Sequence, residues 1–512
     1  MRMSCGSVPF VAIYNEQNRR GVAFHLLADC AWDIRVKKRI KQRNGWTKEV
    51  TVELGIREKG FNCELAPEES LELPEVLCYE FCDKRDMEAF RLHQYYNEVY
   101  PARSLPIVYD SWLSKFDTVS YELLYEQLER AKYLGIEYFV IDAGWFGDAN
   151  KWYDSVGDWR EATDVSMKGR MKEFADAVRE KGLKFGLWFE IERASLRSEA
   201  YKSHPEYYIV EGNNAFVNFA SEAACDYIFG VISDQIRKYG IEFIKFDYNA
   251  DLTYDPEELS FINFFRGYNG FIDRLRREFP SLYLENCASG GLRMALGALS
   301  GFDSFWMSDN HSLYEQLRIF KDTILRMPSR ALERWITVTS AEVKAPGYSG
   351  SSPTDKILVS GDCGWGHIEA VNADYLKACT VGGPIGLTCD LAELSEGTLR
   401  LLKEHIEAYK SEREFWMRSE CHILADTETV LALEFTDKER NTIKIYAYAA
   451  IPHQNEITVY PRVRFRKLYE DGNGNSIEGS EILEKGITLP IKDRYTASFA
   501  ELKAVGECRF TV

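Results

Sequence analysis

Two carboxylates in this sequence stand just beyond short apolar runs. Asp247 follows Phe243-Ile244-Lys245-Phe246, and Asp309 follows Phe305-Trp306-Met307-Ser308. Two acids presented by different strands are what cleavage of a glycosidic bond needs. One attacks or shields the anomeric carbon, and the other protonates the leaving oxygen. A lone Asp after a strand usually caps a helix or makes a turn. The weight of the pair depends on how many strands end in the same way.

Many do. Run 105–109 ends in Asp110, 138–141 in Asp142, and 185–189 in Glu190 and Glu192. Run 215–217 ends in Asn218, and 282–284 in Glu285 and Asn286; residues 335–339 form an eighth candidate. Continuous apolar runs read as strands covered on both faces, hence a parallel sheet. Helical patterns lie between them, at 121–132 with Gly135 behind, at 171–181 and at 224–239. Eight strand–helix alternations with polar carboxyl ends describe an α/β fold, a (β/α)8 TIM barrel with its active site on that rim. Lys245 leads Asp247 by two residues, so both point to one side of a strand. An ammonium there would keep the nucleophile ionised, and Asp309 would need a less polar site or a nearby negative charge to stay protonated.

The chain has 512 residues, 45% hydrophobic, with net charge −17. That length implies more than one domain. The charge argues against nucleic acid or an acidic membrane as partner. No apolar stretch is long enough to span a bilayer, and Met1 to Gly6 open no signal-peptide core, so a cytoplasmic location is expected. The twelve cysteines are scattered, with Cys78 and Cys82 the nearest pair, and read as free thiols. No metal-ligand spacing, phosphate loop or serine nucleophile elbow is present, so neither metal nor cofactor is expected. Three parts are expected: a β region at 1–100, the barrel at 101–415, and a C-terminal antiparallel β-sandwich at 416–512. The segment 471–475 (DGNGN) reads as a hairpin turn.

Several ordered motifs resemble glycoside hydrolase family 36, the melibiase-type α-galactosidases. They are Lys245-Phe246-Asp247-Tyr248-Asn249, the loop from Glu285 to Arg293, Ser308-Asp309-Asn310, Asp142-Ala143-Gly144-Trp145-Phe146-Gly147, Gly157-Asp158-Trp159, and Gly186-Leu187-Trp188-Phe189-Glu190. The resemblance implies Asp247 as nucleophile and Asp309 as acid/base of a retaining double displacement, their carboxyls roughly 5–6 Å apart. It implies that Lys245 and Asp142 bind sugar hydroxyls, that Trp112 and Trp188 line the pocket, and that Cys287, Ser289 and Gly290 lie near the 2-substituent. Ala143 and Asn249 complete the implied substrate-binding set. It further implies a glycoside or oligosaccharide substrate and a homo-oligomer. Read without the family, Trp145, Trp159 and Trp188 are equally core aromatics, and Cys287 a buried small hydrophobe. Glu190 and Glu192 fit a solvated strand end or rim hydrogen bonders, and His204 and His311 are structural or surface residues.

The sequence also departs from the pattern. Ala143 replaces the second acid of Asp-Asp-Gly-Trp, Asp110 stands where Asn is usual, and Ala295 replaces an Asp. The stretch 211–218 lacks an expected Arg, and only about 100 residues precede the barrel, fewer than the family pattern. A kept catalytic pair in an altered sugar-gripping shell predicts a retaining α-glycosidase acting on α-galactosides, α-galactosaminides or α-N-acetylgalactosaminides. The alternatives are a transglycosylase of the same family and an inactive carbohydrate-binding protein.

Overall fold

The computed structural model describes residues 7–28, 30–42, 46–57, 61–82, 85–147, 149–163, 166–253, 261–340, 356–449 and 455–507. The opening hexapeptide, with its expected lack of a signal core, lies outside them.

Eight parallel strands form the central sheet. They are β1 (Ile107–Asp110), β2 (Tyr138–Ile141), β3 (Lys184–Phe189), β4 (Phe243–Phe246), β5 (Tyr283–Asn286), β6 (Ser304–Phe305), β7 (Arg334–Ile336) and β8 (Ile385–Leu387). The sheet runs β6-β5-β4-β3-β2-β1-β8-β7, and a parallel bridge from Phe305 to Leu332 joins its ends. Tyr138, Val140, Phe243, Tyr283, Trp306 and Trp335 cluster as one buried core contributed by strands around the ring, as the two-residue period of a strand requires. The helices follow the expected pattern. Tyr121–Leu134 starts at Ser120, whose Oγ accepts from Leu123 N, and stops at Gly135 in the left-handed region (φ 80°). It buries Leu124, Leu128 and Ala131; Glu222–Tyr239 repeats the scheme between Ser221 and Gly240, and Glu396–Ser411 shares the serine start at Ser395.

Two strand expectations are corrected. The run ending in Asn218 is not in the barrel. Asn214–Val217 pairs antiparallel with Tyr208–Glu211 and Arg193–Ser195 in a separate three-stranded sheet. Residues 335–339 split, with Arg334–Ile336 as β7 and Val338–Thr339 turning into an antiparallel sheet with Lys356–Ser360 and Ile368–Asn372. The eighth strand is Ile385–Leu387, three residues between Pro384 and Thr388, too short for a hydrophobic run to announce.

Before the barrel, Phe10–Asn15, Arg20–Leu27 and Glu75–Cys82 make an antiparallel sheet, and Trp32–Gln42 pairs with Trp46–Ile56. A helix, Arg85–Val99, follows them, so this region is not only β. After the barrel, a six-stranded antiparallel sheet packs over a pair formed by Glu456–Val459 and Ile487–Pro490, with Ile445, Ala447, Val459, Leu489 and Leu502 in the core between them. The segment after Asp471 is a turn: Asp471 Oδ1 accepts from Asn473 N and Asn475 N.

Candidate active site

The carboxyl ends of the barrel strands bring the expected residues to one rim. Asp247 follows β4, and its backbone N–H extends the ladder to Phe189 O. Its carboxylate accepts four hydrogen bonds. Oδ1 takes Tyr248 N at 2.7 Å and Ser289 N at 3.0 Å; Oδ2 takes Asn249 Nδ2 at 2.7 Å and Trp188 Nε1 at 3.3 Å. A group facing four donors is an acceptor only, which describes an ionised carboxylate. The expected lysine is not its partner.

Lys245 instead donates to Asp142 Oδ2 at 2.8 Å and Asp110 Oδ2 at 3.1 Å, with Nζ 3.6 Å from the centroid of the Trp306 ring. Burial opposes its charge, but Asp110, Asp142 and Glu285 outweigh that and hold it well above an ordinary lysine. One ammonium balances one carboxylate. Burial first, then the charge of Asp110, pushes Asp142 from 3.8 up to about 8. The sequence marks Asp110 as a strand end and as a departure from the family pattern, with no place in the site. Its place on β1, two residues past interior Val108, is the signal that marks it as facing the lysine.

Asp309 opens to solvent at the rim with protein on its other sides. That partial desolvation, followed by the charge of Asp247, raises it from 3.8 to about 6. Trp306 Nε1 donates to its Oδ1 at 3.0 Å. The loop after β5 touches both acids. Ser289 has a left-handed backbone (φ 46°) that aims its N–H at Asp247, while its Oγ donates to Asn249 Oδ1 at 2.8 Å. Gly290 follows at φ 81°, where a Cβ would come within 3.1 Å of Asp309 N.

The remaining expected residues fall nearby. Trp188 is buried beside Asp247, Cys287 is buried in the barrel-interior cluster, and Trp112 is half-buried at the start of the helix after β1. Ala143 is 2% exposed, and its N–H donates to Asp142 Oδ1 at 2.8 Å. Trp145 and Trp159 are core aromatics packed on Phe189. Glu190 and Glu192 prove to be hydrogen-bonded. Glu190 grips Arg193 and accepts from Asn249 N at 2.6 Å, and Glu192 forms a buried two-point pair with Arg293. Both steady the loops around Asp247. His311 is buried and His204 stacks on Tyr207 near the surface. Among the described residues no cluster of three metal-ligating side chains occurs, and no helix is long and apolar enough to cross a membrane.

The melibiase family model matches residues 72–353, more than half of the chain and the whole stretch that carries both acids. The chain belongs to the melibiase family. This melibiase-family chain is 26% identical over 484 residues to the bifunctional alpha-galactosidase/sucrose kinase AgaSK of Mediterraneibacter gnavus, covering 88% of this chain and 48% of that protein. It is also 26% identical to alpha-galactosidase AgaA of Geobacillus stearothermophilus, over 89% of this chain and 63% of that one. The chain thus spans between about half and two thirds of the length of these curated relatives. The crystal structure of GH36 alpha-galactosidase AgaA superposes with a TM-score of 0.83 at 23% identity, covering 97% of this chain and 69% of that one, and shares its fold. Variants of that enzyme have been crystallised in complex with stachyose and with raffinose.

Proposed function

We propose that this protein is a retaining α-glycosidase that removes terminal α-galactosyl or closely related α-linked sugars. The observation that carries the proposal is the pairing of Asp247 with Asp309 on one rim. Asp247 sits in a ring of N–H donors, and Asp309 is raised to about 6 by partial desolvation and by the charge of Asp247. Environments that separate two carboxyls in this way assign the nucleophile to the first and the acid to the second. Asp247 attacks the anomeric carbon while Asp309 gives its proton to the leaving oxygen. Asp309, now a base, then takes a proton from the water that releases the sugar. Lys245, Asp142 and Asp110 offer donors and acceptors to the hydroxyls of the bound ring, and Trp112 and Trp188 offer aromatic walls. Galactosyl-sucrose oligosaccharides, the ligands of the AgaA variants, are the substrate class to try first.

The test is a panel of 4-nitrophenyl α-glycosides (galactoside, N-acetylgalactosaminide, galactosaminide and glucoside) with the β-L-arabinopyranoside added, the first-formed anomer being followed by NMR. Hydrolysis of a galacto-configured member with the α-anomer appearing first is expected. First release of the β-anomer removes the retaining mechanism, and no turnover on any member or on raffinose removes the enzyme reading.

A further inference from the structure

Below the rim, the barrel interior holds two more acids that the mechanism does not use. Glu285 lies on β5, in register with Lys245 on β4, and is 1% exposed. Glu333, also 1% exposed, immediately precedes β7. The Glu333 carboxylate has its own donors. Ser304 Oγ donates to Oε1 at 2.6 Å and Trp335 Nε1 to Oε2 at 3.1 Å. Glu285 is in register with Ser304, whose Oγ donates to Glu333, so the two acids adjoin in the barrel interior, yet neither Glu285 oxygen meets a protein donor. Two carboxylates have no hydrogen to place between them, and two buried negative charges in contact are costly. A single proton on Glu285 resolves both problems, because its O–H then donates to Glu333. The other groups facing the pair are Lys245 from β4, Asp110 from β1, Tyr283 from β5, and Ser304 and Trp335.

Glu333 is coupled to the rim through two indoles in close, tilted contact. Trp335 lies with its ring centroid 4.2 Å from that of Trp306. It fills the interior space left by Gly386, where any Cβ would fall within 2.4 Å of the indole. Trp306 in turn donates to Asp309 and carries Lys245 on its face. A contiguous chain therefore runs from Glu285 through Glu333, Trp335 and Trp306 to the acid/base.

We propose that Glu285 and Glu333 share one proton as a buried acid–carboxylate pair, and that this pair is a positioning device fixing the Trp335–Trp306 contact that orients Asp309 and Lys245. Burial pushes Glu285 well above the ordinary carboxyl range, with the charge of Glu333 adding to it, in agreement with a neutral Glu285. The kinetic consequence rests on the α-glycosidase reading; the proton itself does not.

The experiment compares Glu285→Leu, Glu285→Gln and the wild type in the full chain. Glu285→Leu leaves Glu333 without a donor on that side and should lower kcat roughly tenfold to hundredfold by misplacing the rim groups, with KM little changed. The loosened indole N–H stabilises ionised Asp309 less, so the basic limb of the kcat profile should move upward in pH. Glu285→Gln keeps an N–H facing Glu333 and should restore most of kcat and the wild-type limb. Infrared difference spectroscopy, which needs no turnover, should show a protonated-carboxyl C=O band that persists above the titration of Asp142 and vanishes in Glu285→Gln. Wild-type kcat and limb in Glu285→Leu, or a Glu285→Gln no better than Glu285→Leu, overturns the positioning role. Absence of the persistent band, or its survival in Glu285→Gln, overturns the shared proton even if no α-glycoside is turned over.

Discussion

Lys245 donates to Asp142 across 2.8 Å inside the barrel, with both side chains 5% exposed. Burial, and after it the charge of Asp110, which shares the same ammonium, raises Asp142 to about 8, so it is protonated at neutral pH. The unfolded chain gives up that proton near 3.8, so between 3.8 and about 8 the native state binds more protons than the unfolded state. Stability from this group is full below 3.8 and declines as pH rises toward 8. Urea unfolding across this interval should show that decline, and Asp142→Asn should flatten it. An unchanged slope in Asp142→Asn would remove Asp142 as its source.

Loss of the ammonium should be more damaging than loss of either carboxylate. Lys245→Met leaves Asp110 and Asp142 buried together and should cost about 3–5 kcal/mol of unfolding free energy. Asp110→Asn in the same chain should recover part of it. Additive effects in the double variant would show that the two side chains do not interact.

Asp247→Ala should abolish turnover, since no other acid lies among the donors that surround it. Azide should restore product formation from an aryl glycoside, and the glycosyl azide should have inverted configuration. Rescue with retained configuration would remove the nucleophile role.

Asp309 acts as an acid only while protonated, and that form is lost above about 6. Therefore kcat/KM of the free enzyme should fall as pH rises through that value. Asp309→Asn should lower the rate about 10²–10⁴-fold on raffinose and less on 4-nitrophenyl glycosides, whose leaving group needs little protonation. Equal losses on both would speak against proton donation.

Ala143 carries the most exposed prediction. An acid here would accept charge-assisted hydrogen bonds beside Asp142, and its absence predicts a substrate altered near carbons 4 to 6, or gripped there by a neighbour such as Asp110. Ala143→Asp should raise the preference for the simple α-galactoside by roughly tenfold or more. If the wild type already hydrolyses that galactoside best and the substitution lowers the rate, altered specificity is wrong.

Most of the barrel was legible because β2 to β5 are apolar runs ending in polar residues, the mark of doubly covered parallel strands. The two errors have different causes. Residues 215–217 are apolar because they pack on the barrel, and apolarity does not report which sheet a strand joins. Residues 385–387 are short and flanked by Pro384 and Thr388, so they carry no period to detect. At the site, motif order located Asp247, Asp309, Asp142 and Ser289. The partner of Lys245 depends on register across β1, β2 and β4, which no local pattern encodes; the chain of contacts below Trp306 depends on the meeting of two rings, Trp306 just after β6 and Trp335 in β7.

The two halves of the rim are fastened by different means. β4, which leads to Asp247, is laced by backbone along four residues to each neighbour, whereas β6, which leads to Asp309, offers two residues to β5 and meets the other edge at a single bridge. Main-chain bonds are indifferent to which amino acid makes them; a pair of indoles in contact and a serine–glutamate hydrogen bond are not. A deep mutational scan of this barrel should therefore be lopsided: more permissive at the apolar positions Phe243, Ile244 and Phe246 of the nucleophile strand than at Ser304, Trp306, Glu333 and Trp335, where sequence identity does the work that hydrogen-bond ladders do on the opposite side.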